Sequence, residues 1–190
     1  MILLAKAEFF VKLHHMLTPR QIKYLENIPK ELADKPVQIL SWKEQGLTTA
    51  SVIIAEANIA APDTTFHLVG SVPLRIAGLR DIDIVCAITQ SSFTEYREKL
   101  SKIFGKPNKQ NASSIVWHFE RDGYEVSLYI TDPELSDQLE RQVREYELLK
   151  KNPKLLRTYE RLKLALNGQP YRLYQEKKRE FFNTLPLVEL

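Results

Sequence analysis

Two aspartates one residue apart, Asp81 and Asp83, interrupt an apolar stretch that otherwise favours a β-strand. Side chains alternate across a strand, so these two carboxylates share one face of a sheet. Aspartate is a poor strand former, and two such close like charges repel each other unless a cation or a proton lies between them. The pattern therefore predicts a cation site on one face of a sheet whose other face is apolar.

The chemistry of carboxylate oxygens indicates which cation. Mg²⁺ (or Mn²⁺) prefers oxygen ligands and keeps several coordination positions for substrate phosphates. Asp81 and Asp83 therefore predict chemistry on a nucleoside triphosphate. The ordinary alternative is that both aspartates lie at the solvated edge of a loop.

A Gly70-Ser71 pair precedes the aspartates by a short loop. Glycine lets the backbone approach a phosphate closely, and Ser71 can donate from both its amide and its hydroxyl. Gly-Ser pairs are common in turns, so this assignment depends on the nearby aspartates. Arg75 and Arg80 lie in the same loop, and either guanidinium could clamp a phosphate.

A third carboxylate, Glu125, is expected on a later strand, in the run YEVSLYI. The alternation places Val126 and Leu128 on one face and Glu125 on the other. Glu125 would bind a metal ion or deprotonate the attacking hydroxyl. The alternative is that it lies on the solvent face of an antiparallel strand.

Composition limits the class of protein. The chain has 190 residues, 44% of them hydrophobic and 27% charged, with a net charge of +3. This weak positive charge suits phosphate-bearing ligands without establishing nucleic-acid binding. The basic residues of the C-terminal third are interspersed with glutamates, and no DNA-reading motif is present, so we find no case for DNA.

Targeting and redox features are few. The single cysteine, Cys86, allows no disulfide framework or cysteine zinc site within one chain, and we expect it to be a small buried residue. The N-terminal stretch lacks the pattern of a signal peptide, and no apolar run is long enough to span a bilayer. We therefore predict a cytoplasmic protein without a membrane segment.

The order of predicted elements indicates an α+β fold, a small mixed sheet flanked by helices with a helical C-terminal third. We expect an N-terminal helical extension over 1–36, a core over 37–132, and C-terminal helices over 133–190 packed on that core as one compact unit. Asp122-Gly123 between two β-rich runs predicts a hairpin.

Three helix predictions test the local patterns. Thr18 and Pro19 are expected to begin a helix that continues to Ala33. Another helix is expected over 43–60, with Val52, Ile53, Ala55 and Ile59 on its apolar side. Pro133 is expected to begin the first C-terminal helix.

Two lysines near the C-terminus each follow a tyrosine by one helical turn, in Tyr159-x-x-x-Lys163 and Tyr174-x-x-x-Lys178. Residues at this spacing share a helix face. Lys163 and Lys178 would meet the triphosphate or the base if these helices cover the mouth of the site. The alternative is tyrosine packing, with the lysines extending to water.

These residues resemble the GrpB family, a branch of the nucleotidyltransferase superfamily. Its members carry H-I-G-S, a loop with Val-Pro, and D-I-D, and the counterparts here lie in the segments 67–73 and 81–83. The tyrosine and lysine helices are also similar, and the resemblance covers roughly Val37 to the C-terminus. It implies the nucleotidyltransferase fold and a metal–nucleotide site.

The chain departs from that family at two places. Gly78-Leu79-Arg80 replaces the common Lys-Pro in a shorter loop before the aspartates. Glu125-Val126-Ser127 lies where relatives often have H-x-H. The second change brings the predicted site closer to a three-carboxylate arrangement.

Together the residues predict an Mg²⁺-dependent nucleotidyltransferase that transfers a nucleoside monophosphate from a nucleoside triphosphate to a hydroxyl of an unknown acceptor. The acceptor could be a small molecule, RNA or protein. A non-catalytic module that binds a nucleotide or a phosphometabolite is the main alternative. A partner-binding protein that retains its aspartates without using them is a third.

Overall fold

The computed structural model describes residues 17–185. The helices of this part are α1 (Pro19–Glu26), α2 (Lys30–Ala33), α3 (Gln45–Ala60), α4 (Ser71–Leu74), α5 (Phe93–Phe104), α6 (Gln138–Lys151), α7 (Pro153–Ala165) and α8 (Tyr171–Asn183). The strands are β1 (His67–Val69), β2 (Asp81–Ala87), β3 (Lys109–Gln110), β4 (Ser114–Arg121) and β5 (Tyr124–Thr131).

The chain divides into two compact units. A core unit covers Leu40–Glu160, and a terminal unit combines the described residues before Leu40 with those after Glu160. One boundary between the units falls within α7. The core unit is one continuous segment, whereas the terminal unit combines two separate segments. No helix within residues 17–185 combines the length and the apolar character needed to cross a membrane.

The core unit contains one mixed five-stranded sheet of order β1-β2-β5-β4-β3. Strands β2 and β5 are parallel, and the other neighbouring pairs are antiparallel. Parallel neighbours need a crossover connection, which α5 and the β3–β4 segment supply. The α+β class predicted from the order of elements is confirmed.

One face of the sheet forms the hydrophobic core with α3 and α5. Alternate residues of the three long strands are buried there, and they include Ile82, Ile84, Cys86, Ile115, Trp117, Val126, Leu128 and Ile130. Burial raises the pKa of the Cys86 thiol to about 12, so this residue behaves as a small apolar side chain. The charged residues of the same strands therefore lie on the opposite face of the sheet.

The predicted hairpin joins β4 to β5. Asp122 and Gly123 both have positive φ, at 53° and 75°. Two-residue turns of this kind match the twist of antiparallel strands and favour Asp-Gly. This turn sets the register in which Glu120 lies opposite Glu125.

Three helix predictions need correction. The helix expected from Pro19 to Ala33 ends at Glu26, and α2 begins after Pro29, because proline disfavours helical geometry in the residue before it. On α3, Ile53 is buried, but Val52 is 48% and Ile59 80% exposed. Small residues instead form most of its packed face, at Thr49, Ala50 and Ala57.

The first C-terminal helix, α6, begins at Gln138 and not at Pro133. The carboxylate of Asp132 accepts hydrogen bonds from the backbone amides of Glu134 and Leu135, at 2.8 and 3.3 Å. Such local bonds from an aspartate favour a turn over a helix. The chain therefore turns once before α6 can start.

The terminal unit has a small hydrophobic cluster of its own, formed by Leu25, Ile28 and Ala33 with Leu17 and Tyr171 packed against it. Backbone bonds tie its two ends together, for example from the Val37 amide to the Gln169 carbonyl at 2.8 Å. Distant parts of the sequence therefore share this unit.

Replacing Thr18 by alanine is expected to lower the free energy of unfolding by about 1 kcal/mol. The Thr18 hydroxyl oxygen accepts from the Gln21 amide at 3.3 Å, and the Gln21 side chain accepts from the Thr18 amide at 2.8 Å. This is a complete capping box. Urea unfolding measures the loss, and Thr18→Ser should retain the wild-type midpoint; equal midpoints for serine and alanine would contradict the cap.

Candidate functional site

The predicted aspartates lie at the start of β2, on the face opposite the hydrophobic core. Val69, the last residue of β1, pairs with Asp83, so the chain turns at Gly70 directly beside that carboxylate. Gly70 has φ 82° and ψ −153°, and a Cβ there would lie 3.0 Å from Asp83 Oδ2. Both the backbone conformation and the close approach require glycine at this position.

Ser71 follows this turn and begins α4. Its hydroxyl lies 3.5 Å from Asp81 Oδ1, to which it donates a long hydrogen bond. The structure therefore brings the Gly70-Ser71 turn against both Asp81 and Asp83, as their spacing in the sequence indicated.

Arg75 ends α4 with its backbone in the left-handed region, at φ 57°. Its guanidinium lies over the ring of Trp42, 5.4 Å from the centroid, and the Trp42 indole donates to the Val72 carbonyl at 2.9 Å. Cation–π contacts of this kind orient an arginine without neutralising it. Arg75 is exposed beside the turn, where a phosphate role stays a prediction.

Arg80 also has positive φ, at 63°, and directly precedes Asp81. Its carbonyl accepts a hydrogen bond from the Glu125 amide at 3.1 Å. The backbone of Arg80 therefore joins the loop to β5 at the level of the aspartates. A phosphate contact from its side chain stays a prediction.

Glu125 lies on the same sheet face as the aspartates. Because β2 and β5 are parallel, with Asp81 paired to Glu125 and Asp83 to Ser127, paired side chains point the same way. Glu125 is exposed. Within residues 17–185, however, no three His, Cys, Asp or Glu side chains form a group that could hold a metal ion.

The donor set nevertheless fits Mg²⁺. That ion is commonly held by one or two carboxylates, and phosphates of the substrate complete its shell. Asp81 and Asp83 supply two carboxylates on one face, and the Ser71 hydroxyl is a further oxygen beside them. The role of Glu125 as a third ligand stays a prediction.

A polar row continues across the sheet from Asp83. Ser127 lies beside Asp83 on β5, and His118 lies opposite Ser127 on β4, with 2.9 Å between His118 Nδ1 and Ser127 Oγ. Partial desolvation of the ring, together with Lys109, lowers the pKa of His118, while Glu125 acts in the opposite direction. The row therefore offers a neutral imidazole and a hydroxyl near the carboxylates.

Tyr159 and Glu145 are site residues that the sequence patterns did not indicate. Burial raises the pKa of the Tyr159 phenol well above its usual value, and the carboxylates of Glu145, Asp81 and Asp83 raise it further. Tyr159 is 5% exposed. The buried phenol therefore stays protonated within the electrostatic field of these three carboxylates.

The sequence signals for Tyr159 were its spacing from Lys163 and the family resemblance of that helix, and nothing marked Glu145 among the helical residues around it. The next residue on α7, Glu160, also holds the loop before β2. Its carboxylate accepts from the Ala77 amide at 2.9 Å. The middle of α7 is thereby fixed to the loop that precedes the aspartates.

The two predicted lysines belong to the terminal unit. Lys163 is near the end of α7 and only 4% exposed, and Lys178 is half-buried on α8. Their contact with a triphosphate or base stays a prediction.

Comparison with solved structures identifies the fold. Conserved protein GrpB from Enterococcus faecalis aligns with a TM-score of 0.59 and 13% identity, over 76% of this chain and 96% of GrpB. The Cid1 poly(U) polymerase in its MgGTP-bound form aligns with a TM-score of 0.46 and 15% identity, over 77% of this chain and 46% of Cid1. This chain thus spans about half the length of that polymerase.

Sequence comparison adds no relative, since neither the known family models nor the curated proteins match this chain. The structural match confirms the GrpB-like fold predicted from the motifs. At this level of identity the match establishes the fold alone.

Proposed function

From a GrpB-like fold, we propose that this chain transfers a nucleoside monophosphate from a nucleoside triphosphate to an acceptor hydroxyl. The observation that supports this most strongly is the glycine turn against the aspartates. A Cβ at Gly70 would lie 3.0 Å from Asp83 Oδ2, so the turn and the carboxylates form one surface. Phosphates on that surface would meet backbone and hydroxyl donors beside the ligands of a metal ion.

Asp81 and Asp83 would hold Mg²⁺ or Mn²⁺. When bound, such an ion neutralises phosphate charge and orients the triphosphate for in-line displacement. The amide and hydroxyl of Ser71 would donate to phosphate oxygens. Arg75 and Arg80 in the loop are the cations that we propose for the rest of the triphosphate.

In the transfer, the acceptor oxygen forms a bond to the α-phosphorus, and the bond from that phosphorus to the bridging oxygen of pyrophosphate breaks. The acceptor hydroxyl loses its proton, and we assign the Glu125 carboxylate to receive it. Glu125 is exposed and in register with Asp81, on the same sheet face. A carboxylate so placed can reach an acceptor without being a metal ligand.

The acceptor in this proposal is a small molecule, an RNA or a protein, and nothing favours DNA. A cytoplasmic location agrees with the use of a nucleoside triphosphate. Both statements are proposals that depend on the activity.

A thermal-shift screen tests the proposal. The four ribonucleoside triphosphates are each added with Mg²⁺ and with a chelator. A ligand at 100 times its dissociation constant stabilises the fold by about 2.7 kcal/mol, which gives a clear rise in melting temperature. We expect a rise that requires Mg²⁺, and no rise with any triphosphate would overturn the proposal.

Binding without transfer is the second candidate, and the two-carboxylate arrangement favours it. Many transfer sites use a third ligand, whereas the described residues form no such group of three. Pyrophosphate release separates the two functions. Pyrophosphate release that depends on Mg²⁺ and an added acceptor supports transfer. Saturable nucleotide binding, with no pyrophosphate released in the presence of a broad set of acceptors, supports the binding module.

A further inference from the structure

The inner face of α6 lies near the aspartates. Gln142, Glu145 and Leu149 share this face, at the i, i+3 and i+7 spacing of a helix. Leu149 is 1% exposed, so the face points into the core unit. Helix α6 packs there against β1, β2 and α4, the elements that carry the aspartates and the glycine turn.

Glu145 provides a second link between this face of α6 and the aspartates. Its carboxylate acts on the buried Tyr159 phenol, which Asp81 and Asp83 also influence. Gln142 lies one turn before Glu145, and residues at this spacing are neighbours on the helix surface. Gln142 therefore lies on the face of α6 that packs against the elements carrying the aspartates and the glycine turn.

The side-chain amide of Gln142 is unusual in its hydrogen bonding. Its side-chain oxygen is buried and accepts no hydrogen bond from the part of the chain that the structure describes. Buried polar atoms in folded proteins are almost always paired, because an unpaired acceptor costs stability. An acceptor kept at this cost calls for a donor that residues 17–185 do not supply.

The chemistry of a nucleotide indicates which donor that is. An amide oxygen only accepts, and an ionised triphosphate offers acceptors alone, so the two cannot bond directly. The first donors beyond the α-phosphate are the ribose hydroxyls. Glu145, the neighbour of Gln142, likewise presents acceptor oxygens, although it also pairs with Arg141 at 3.4 Å.

We propose that Gln142 accepts a hydrogen bond from the ribose 2′-hydroxyl, so that the site selects ribonucleotides over 2′-deoxyribonucleotides. This inference rests on the proposed function, because it needs a triphosphate held at Asp81 and Asp83. It adds a specificity residue on α6 to the phosphate and metal groups on the sheet.

Affinity measurements on Gln142→Leu test the assignment. Each of the four ribonucleoside triphosphates is compared with its 2′-deoxy counterpart in the presence of Mg²⁺. The wild type should bind the preferred ribonucleotide about tenfold more tightly than the deoxy form, the size of one hydrogen bond. In Gln142→Leu, ribonucleotide affinity should fall to the deoxy level, and deoxy affinity should not change. Gln138→Leu, one turn earlier on α6, should retain the preference.

Thermal unfolding without a ligand gives an independent readout. Gln142→Leu removes an unpaired acceptor, so its melting temperature should equal or exceed that of the wild type. Gln175→Leu is the matched contrast, because Gln175 is buried but accepts from Arg179 Nη1 at 2.7 Å, and this variant should melt lower. A lower melting temperature for Gln142→Leu would reveal a structural role and overturn the assignment.

The outcomes separate the two proposals. A wild type that binds none of the eight triphosphates overturns the proposed function and the ribose contact together. Equal binding of ribonucleotides and deoxyribonucleotides by the wild type overturns the ribose contact alone and leaves the metal–nucleotide site standing.

Discussion

Asp81→Asn combined with Asp83→Asn should abolish Mg²⁺-dependent stabilisation by triphosphates and lower pyrophosphate release by at least about 10³-fold. Asparagine keeps the shape of each side chain but removes both negative charges. Two neutral amides hold a hard cation poorly, and the triphosphate then lacks its counter-charge. Melting curves and a pyrophosphate assay measure the two effects on the same samples.

The matched control for this variant is Glu120→Gln, which removes an exposed carboxylate opposite Glu125 on the same sheet face. It should leave both readouts at the wild-type level. Circular dichroism verifies that all three proteins are folded. If the double asparagine variant keeps its Mg²⁺-dependent shift, the metal site lies elsewhere and the assignment of β2 is wrong.

Glu125→Gln distinguishes the two roles considered for that residue. A proton acceptor for the attacking hydroxyl predicts slow turnover with unchanged Mg²⁺-dependent binding. A metal ligand predicts that both decline together. The exposed position of Glu125 leads us to expect the first result.

Gly70→Ala should damage both stability and nucleotide binding. The backbone at Gly70 lies in a region that only glycine adopts readily, and forcing alanine into it costs about 1–3 kcal/mol. The added methyl group would also lie 3.0 Å from Asp83 Oδ2 and displace that carboxylate. We therefore expect a lower melting temperature together with the loss of the Mg²⁺-dependent shift.

Gly105→Ala separates backbone strain from the loss of the site. Gly105 has nearly the same conformation, φ 77° and ψ −167°, but a Cβ there would meet nothing within 4 Å. This variant should be destabilised by a similar amount and still bind nucleotide with Mg²⁺. If both alanine variants bind equally well, the close approach of Gly70 to Asp83 has no role in binding.

Local patterns predicted much of the fold. Alternation placed Asp81 and Asp83 together, opposite the apolar residues of β2, and Asp122-Gly123 marked the hairpin. Thr18 identified the start of α1. Each of these signals is contained within a few neighbouring residues, so backbone sterics and local hydrogen bonds are enough to explain it.

The helix predictions were wrong where contacts outside the local pattern determine which residues are buried or where a helix begins. Helix α3 is apolar on several sides, so periodicity alone did not show that Ala50 and Ala57 would be buried while Val52 and Ile59 are exposed. Small side chains let the helix lie close to the sheet, and that fit depends on the partner surface. The start of α6 similarly depended on the bonds of the Asp132 side chain.

The sequence by itself determined the α+β class, the shared face of the two aspartates and the glycine turn before them, because these follow from periodicity and turn chemistry. Only the tertiary structure decided that Gly70 lies against Asp83 and that Glu125 is in register with Asp81. It also packed α6 against β2, the strand that carries the aspartates. Those contacts join residues far apart in the chain, where the register of parallel strands and the packing of a helix on a sheet select the neighbours.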